Sequence, residues 1–94
     1  MVVIQQLLWD EWNVAHILRH DVTPDEVEEI CRGEHIALQS YAGRLMLIGL
    51  TRGRILAAVL APQEGEGVFY VVTARTASRK ERRYYRQQTR GVDS

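Results

Sequence analysis

The sequence predicts a single α+β domain with two N-terminal helices, a mainly antiparallel meander sheet of about four strands, and a C-terminal helix. Three observations predict this fold. The first third has two capped segments with helical apolar spacing, the middle has short apolar runs separated by brief turns, and the last third opens on another capping pattern. A chain of 94 residues has room for one domain, residues 1–94.

The N-terminal part predicts a short extended piece at residues 7–9 and then two helices. Asp10 can cap a first helix over residues 11–20. The second helix has Thr23 as N-cap, a proline next to it, and Glu26 completing a capping box. Its apolar stripe consists of Val27, Ile30 and Cys31. Gly33 is predicted to end this helix in the left-handed conformation.

The middle of the chain predicts a meander of strands. Four runs of apolar residues are candidates, at residues 36–40, 44–50, 55–61 and 68–74. Because the connections are too short for crossover helices, consecutive strands should be antiparallel neighbours. The runs show little polar alternation, so we expect helices or a second subunit to cover both faces of the sheet.

The C-terminal segment predicts a helix with two unlike sides. Ser78 and Glu81 can form its capping box. On a helical wheel, Tyr84 and Tyr85 lie on the side that should anchor the helix. The opposite side carries five arginines, namely Arg79, Arg82, Arg83, Arg86 and Arg90. From about residue 89 the tail is predicted to be disordered.

The formal net charge is zero, but the charges are segregated along the chain. Residues 1–37 hold eight acidic and two basic side chains, and residues 74–94 hold seven basic and two acidic ones. Either the two ends neutralise each other, or the basic end faces a polyanion or an acidic partner. Arginine favours the second reading because its planar guanidinium matches phosphate and carboxylate geometry.

Several classes of protein are disfavoured by the motifs. The sequence has no glycine-rich phosphate loop, nucleophile elbow or paired-carboxylate motif. Cys31 is the only cysteine, which excludes an intramolecular disulfide and a zinc pattern of paired cysteines. Without a leader or a long apolar run, we expect a cytoplasmic protein that does not enter a membrane.

Histidines and tryptophans leave alternatives open. His16 and His20 lie one helical turn apart and could transfer protons, contribute to a metal site together with His35 or a carboxylate, or border the core. Trp9 and Trp12 are predicted to be core or interface anchors, with base stacking as the alternative.

In its ordered combination of elements, the chain resembles the BrnT family of type II toxin–antitoxin ribonucleases. Leu-Trp-Asp-Glu at residues 8–11 resembles the family's opening aromatic-acidic element. Arg19 and His20, followed by residues 22–27, resemble its basic-His pair and second-helix start, and residues 73–85 resemble its C-terminal Ser-Ala-Arg and Arg-Arg-Glu-Arg segment.

This resemblance implies a fold like that of RelE-type toxins and metal-independent RNA cleavage without a cofactor. It implies His20 as the proton-transfer residue, and Arg75, Arg79 and Arg82 as the groups that hold the scissile phosphate. The implied contacts to RNA or to a partner come from Arg19, Arg83, Tyr84, Tyr85 and Arg86. The implied partners are RNA and a cognate antitoxin, of ribbon-helix-helix type, with a homodimer as a further possibility.

Two departures from the family lead us to expect weak or degenerate cleavage. Arg19 stands where the family often has lysine, and the chain is neutral where family members are commonly basic. The alternative is a non-catalytic interaction module whose arginine face binds an acidic protein or RNA.

Overall fold

The computed structural model describes residues 3–90, with side chains up to residue 89, and has the predicted α+β architecture. The elements in chain order are β1 (Gln6–Leu8), α1 (Glu11–Leu18), α2 (Pro24–Arg32), β2 (His35–Gln39), β3 (Leu45–Thr51), β4 (Arg54–Pro62), β5 (Val68–Thr76) and α3 (Arg79–Arg90). A short 3₁₀ turn, Tyr41–Gly43, joins β2 to β3.

Five strands form one sheet in the order β1-β5-β4-β3-β2. Strands β2 to β5 make the predicted antiparallel meander. The short N-terminal piece adds a fifth strand, since β1 pairs in parallel with β5 from Gln6 opposite Val68 to Leu8 opposite Tyr70. This pairing places the start of α1 beside the outer edge of β5.

Helices α1 and α2 cover one face of the sheet, and the main core lies between these helices and the sheet. Ile17 of α1 and Ile30 of α2 are fully buried there against strand residues such as Leu47 and Leu56. The approach of α2 to the sheet depends on Gly49, because a Cβ on this residue would lie 2.8 Å from the Cβ of Ile30. This close packing fixes α2 over β3.

Both N-terminal helices begin at the predicted caps. Asp10 accepts hydrogen bonds from the backbone of α1, and Thr23 and Glu26 form the capping box of α2. Helix α2 ends at Gly33 as predicted, but the predicted left-handed conformation of this residue is wrong, because Gly33 has φ −93° and ψ −162°, an extended conformation that leads into β2. α1 ends at Leu18, two residues before the predicted boundary.

Helix α3 packs on the opposite face of the sheet and forms a second, smaller core. Tyr85 is only 5% exposed and packs with Ile48, Ile55 and Ala57. Of the two predicted alternatives, helices or a second subunit, helices therefore cover both faces, although α3 covers its face only in part. α3 is helical through Arg90, so residues 89 and 90 are not part of a disordered tail, and residues 91–94 lie outside the described part of the chain.

No helix among residues 3–90 is long and apolar enough to cross a membrane.

Candidate functional site

The arginines of α3 form a continuous basic surface. Arg79, Arg82, Arg83 and Arg86 line one shallow concavity together with Gln87, and we call these four side chains the arginine surface. Arg79, Arg83 and Arg86 are exposed. Among the described side chains, no carboxylate lies within ion-pairing distance of any of the four.

Arg82 differs from its neighbours on this surface. It is half-buried, and its Nη1 donates to the backbone carbonyl of Ala77 at 2.6 Å. This bond ties the first turns of α3 to the end of the strand before it and orients the guanidinium. The side chain of Arg90, the fifth predicted member, lies outside the described side chains.

Two acidic residues of α2, Glu26 and Glu29, are paired with arginines outside the arginine surface, so they do not neutralise it through direct ion pairs. Glu29 pairs with Arg52 at 2.9 Å and Glu26 pairs with Arg54 at 2.7 Å, both from the β3–β4 hairpin. Burial disfavours the charged form of Glu26, but hydrogen bonds from Arg54 and Thr23 outweigh it and lower the pKa of this carboxyl. The hairpin thus neutralises two of the eight acidic side chains of residues 1–37.

Arg75, the arginine at the end of β5, is held by an internal ion pair. Its Nη1 and Nη2 donate to the two carboxylate oxygens of Glu81 at 2.7 and 3.0 Å. The Ser78 amide donates to Glu81 Oε1 at 2.8 Å, and the Ser78 hydroxyl accepts from the Glu81 amide, which confirms the predicted capping box. One carboxylate therefore fixes both the start of α3 and the Arg75 guanidinium.

The Arg75–Glu81 pair is strong by the usual criteria for ion pairs. It is bidentate, and the side chains are 38% and 19% exposed. Hydrogen bonds from Arg75 lower the pKa of Glu81 to about 2, although burial opposes this. Arg75 thus points its charge at an internal carboxylate in this conformation, and a phosphate would have to share or displace that partner.

Helix α1 runs alongside the open outer edge of β5, beyond the end of β1. The buried Asn13 donates through Nδ2 to the carbonyls of Leu8 and Val71, at 2.9 and 3.0 Å. One turn later, His16 Nε2 lies 3.0 Å from the hydroxyl of Thr73, a hydrogen bond whose donor depends on the tautomer. These contacts show that α1 and this part of β5 run in the same direction.

Because of this direction, His20 and Arg75 both lie beyond the His16–Thr73 contact, toward the C-terminal end of β5. Helix α1 itself ends at Leu18, and Arg19 and His20 form the turn that follows it. His20 is exposed and packs edge-on against His16, with ring centroids 5.3 Å apart. His20, the implied proton-transfer residue, and Arg75, an implied phosphate-binding residue, therefore lie toward the same end of β5. No hydrogen bond or ion pair joins these two side chains.

The remaining predicted site residues, Arg19, Tyr84 and Tyr85, lie in three different places. Arg19 is exposed at the C-cap of α1 and can contact a ligand. Tyr85 belongs to the core, so its implied role in orienting a base or phosphate does not fit its position. Tyr84 is 37% exposed, which corrects the prediction that it faces inward, and it lies beside Lys80 and the apolar side chain of Met46 rather than on the arginine surface.

The third histidine has a structural role. His35 Nδ1 lies 2.8 Å from the carbonyl of Ile30, at the junction between α2 and β2. Within residues 3–90 no group of three or more His, Cys, Asp or Glu side chains is arranged to hold a metal ion.

Sequence reasoning missed two residues of this site. Thr73 was not singled out, because a threonine in a strand carries no distinctive signal and its contact to His16 joins residues 57 positions apart. Glu81 was predicted only as half of a capping box. Its second partner, Arg75, lies six residues earlier. An arginine at the end of a strand, followed by a glutamate in the first turn of the next helix, was the signal that could have predicted this ion pair.

A comparison with the models of protein families finds no match to this chain, and a comparison with curated proteins finds none either.

Proposed function

We propose that this protein is a cytoplasmic, BrnT-like toxin that binds RNA through the arginine surface of α3 and cleaves it weakly without a metal. The observation that carries the proposal is that the arginine surface has no carboxylate partner among the described side chains, although Arg32, Arg52, Arg54 and Arg75 are each paired with a glutamate. Unpaired guanidinium groups in one concavity are suited to the phosphates of a nucleic acid backbone.

In the chemistry we propose, the 2′-hydroxyl of the RNA attacks the adjacent phosphorus while the bond from phosphorus to the 5′-oxygen breaks, so the protein supplies positioning and charge. Arg79 and Arg82 hold the scissile phosphate and stabilise the negative charge that develops on it. His20 accepts the proton of the 2′-hydroxyl and returns it to the leaving 5′-oxygen. Arg75 contributes from its place beside Glu81, as a cation whose position the carboxylate fixes.

The pairing of Arg75 supports slow turnover in this proposal. A guanidinium that already has two charge-assisted bonds to Glu81 gains less from a phosphate than a free one. Binding through Arg79, Arg83 and Arg86 does not depend on that pair. We therefore expect RNA binding to be easier to detect than cleavage.

The test measures binding and cleavage separately. A fluorescent RNA oligonucleotide is titrated with the protein at several salt concentrations, and the affinity should fall as salt rises because counterions are released. The triple variant Arg79→Ala/Arg83→Ala/Arg86→Ala should lose binding and flatten the salt dependence. A matched control replaces Arg32, Arg44 and Arg52, which lie outside the arginine surface, and should bind as the wild type does.

Cleavage is followed by incubating the protein with labelled cellular RNA in the presence of a metal chelator. His20→Ala should abolish the products, and Arg75→Ala should reduce them. Unchanged RNA with the wild-type protein would reject the ribonuclease activity. Unchanged affinity in the triple variant would reject the arginine surface as the RNA site.

A non-enzymatic function remains the second candidate, and one observation favours it. Next to α3, the side chains of Leu38, Met46 and Tyr84 form an apolar groove beside Lys80. An acidic protein, such as the antitoxin that the resemblance implies, could place apolar groups there and carboxylates on the arginine surface. Under this alternative a pull-down recovers an acidic protein, and RNA fails to compete with it.

A further inference from the structure

Trp12 projects from α1 into solvent. Its side chain is 77% exposed, which is more than any other large apolar residue in the described part of the chain. This exposure is not required by the packing of α1, because the helix is anchored through Asn13 and Ile17 on its other side. An indole with so much free surface has an unused stacking face.

Trp9 provides a contrast within the same segment. It packs against the main core, and its Nε1 donates to Glu28 Oε2 at 2.9 Å. Trp9 is therefore the anchor that the sequence predicts, whereas Trp12 is not. The two tryptophans have different roles despite lying three residues apart.

The surroundings of Trp12 fit a nucleotide. Trp12, His16 and Arg19 line one shallow concavity on the outer side of α1, together with Ala15 and Glu11. The hydrogen bond to Thr73 holds the His16 ring in place. Arg19 lies at the end of this concavity away from Glu11, so a base on the indole would have its phosphate directed toward Arg19.

The concavity at Trp12 and the arginine surface of α3 are separate concavities. From Trp12 to Leu18 the helix advances about 9 Å toward the end of β5 at which Arg75 lies. Arg75 is joined through Glu81 to the first turn of α3, where Arg79 and Arg82 begin the arginine surface. An RNA strand with phosphates on α3 and a base on Trp12 would pass this end of β5.

We propose that Trp12 stacks on an unpaired base, and that the RNA recognised by this protein is single-stranded at that position. This inference rests on the proposed function. Stacking on an aromatic ring needs a base whose face is free, which single strands offer and continuous duplexes do not.

The experiment uses the two tryptophans of the chain as separate reporters. In Trp9→Phe the only indole is Trp12, and in Trp12→Phe the only indole is Trp9. A single-stranded RNA should quench the fluorescence of Trp9→Phe strongly and that of Trp12→Phe little. A fully paired duplex of the same length should leave both spectra nearly unchanged, even where it binds.

Affinity provides an independent measurement in the otherwise unchanged chain. Because stacking contributes about 1–3 kcal/mol per base, Trp12→Ala should bind the single strand at least about fivefold more weakly. Trp12→Phe should retain much of the affinity, and the duplex should bind Trp12→Ala as it binds the wild type. Circular dichroism should show that Trp12→Ala is folded.

The outcomes separate the two proposals. Single-stranded RNA that binds the wild type and Trp12→Ala equally, while the arginine variants lose affinity, overturns the stacking and leaves the proposed function standing. Equal losses for single strand and duplex in Trp12→Ala also overturn it. RNA that fails to bind the wild type overturns the proposed function itself.

Discussion

Replacing Glu81 with glutamine should destabilise the protein at neutral pH and have little effect in strong acid. Glutamine retains the size of the side chain and an oxygen that can accept from the Ser78 amide, but it loses the charge that faces Arg75. The substitution therefore isolates the electrostatic part of the interaction. It also removes a negative charge from the first turn of α3, where the helix dipole favours one.

The magnitude follows from the pKa of Glu81, which falls from its ordinary value of 4.5 to about 2. By linkage, this lowering corresponds to an upper limit of about 3.4 kcal/mol at pH 7. The Arg75 side chain is 38% exposed, so solvent screening reduces the expected loss to about 1–2 kcal/mol. Because the folded-state pKa is lowered, the stabilisation is present above pH 4.5 and is lost as the pH falls toward 2. At pH 3, roughly two fifths of it should remain.

Urea unfolding of the wild type and of Glu81→Gln at pH 7, 4 and 3 measures this difference. Glu64→Gln is a suitable control, because Glu64 is exposed in the β4–β5 connection and forms no ion pair with the described side chains. The control should change the free energy of unfolding by less than about 0.5 kcal/mol. A loss in Glu81→Gln that is the same at all three pH values, or no larger than that of the control, would refute the electrostatic reasoning.

Three further predictions concern the core. Asn13→Ala should lower the free energy of unfolding by about 2–3 kcal/mol, because the buried carbonyl of Val71 and the partly buried carbonyl of Leu8 lose their donor, and urea unfolding measures it. Gly49→Ala should cost about 1–3 kcal/mol through overpacking against Ile30, and combining it with Ile30→Ala should give less than the sum of the two losses. Burial, chiefly, raises the pKa of Cys31 to about 12, so iodoacetamide at pH 8 should alkylate the folded protein much more slowly than the urea-unfolded chain.

The helix starts could be predicted because each is encoded in a few adjacent residues. Asp10, Thr23 and Ser78 all cap the helices that the sequence assigns to them. The parallel pairing of β1 with β5 joins residues 62 positions apart, from Gln6 to Val68, and nothing local specifies it. The conformation of Gly33 at the end of α2 was mispredicted for a related reason, since the continuation into β2 depends on pairing with β3.

The candidate site likewise combines features that the local sequence predicts with features that depend on tertiary contacts. Helical periodicity correctly gathered the arginines of α3 on one side, because angular position depends only on spacing. Periodicity could not predict how deeply each side chain is buried, so Tyr84 and Tyr85 were both placed inward although only Tyr85 enters the core. Trp12 was predicted as an anchor for its size, but which residues of α1 face the sheet depends on tertiary contacts such as that of Asn13.

The neutral total charge hides an uneven distribution of charge, because twelve basic and twelve acidic residues cancel only in the sum. Glu26 and Glu29 of α2 pair with Arg54 and Arg52 of the β3–β4 hairpin, whereas the four arginines of the arginine surface have no carboxylate partner among the described side chains. Exposed charges more than about 8–10 Å apart are largely screened at physiological salt, so the field at the arginine surface depends on nearby charges and not on the total. Net charge is therefore a poor guide to the local charge of α3. A charge-neutral variant that moves one arginine from α3 to an exposed site beyond that range should bind RNA less well, although its isoelectric point is unchanged.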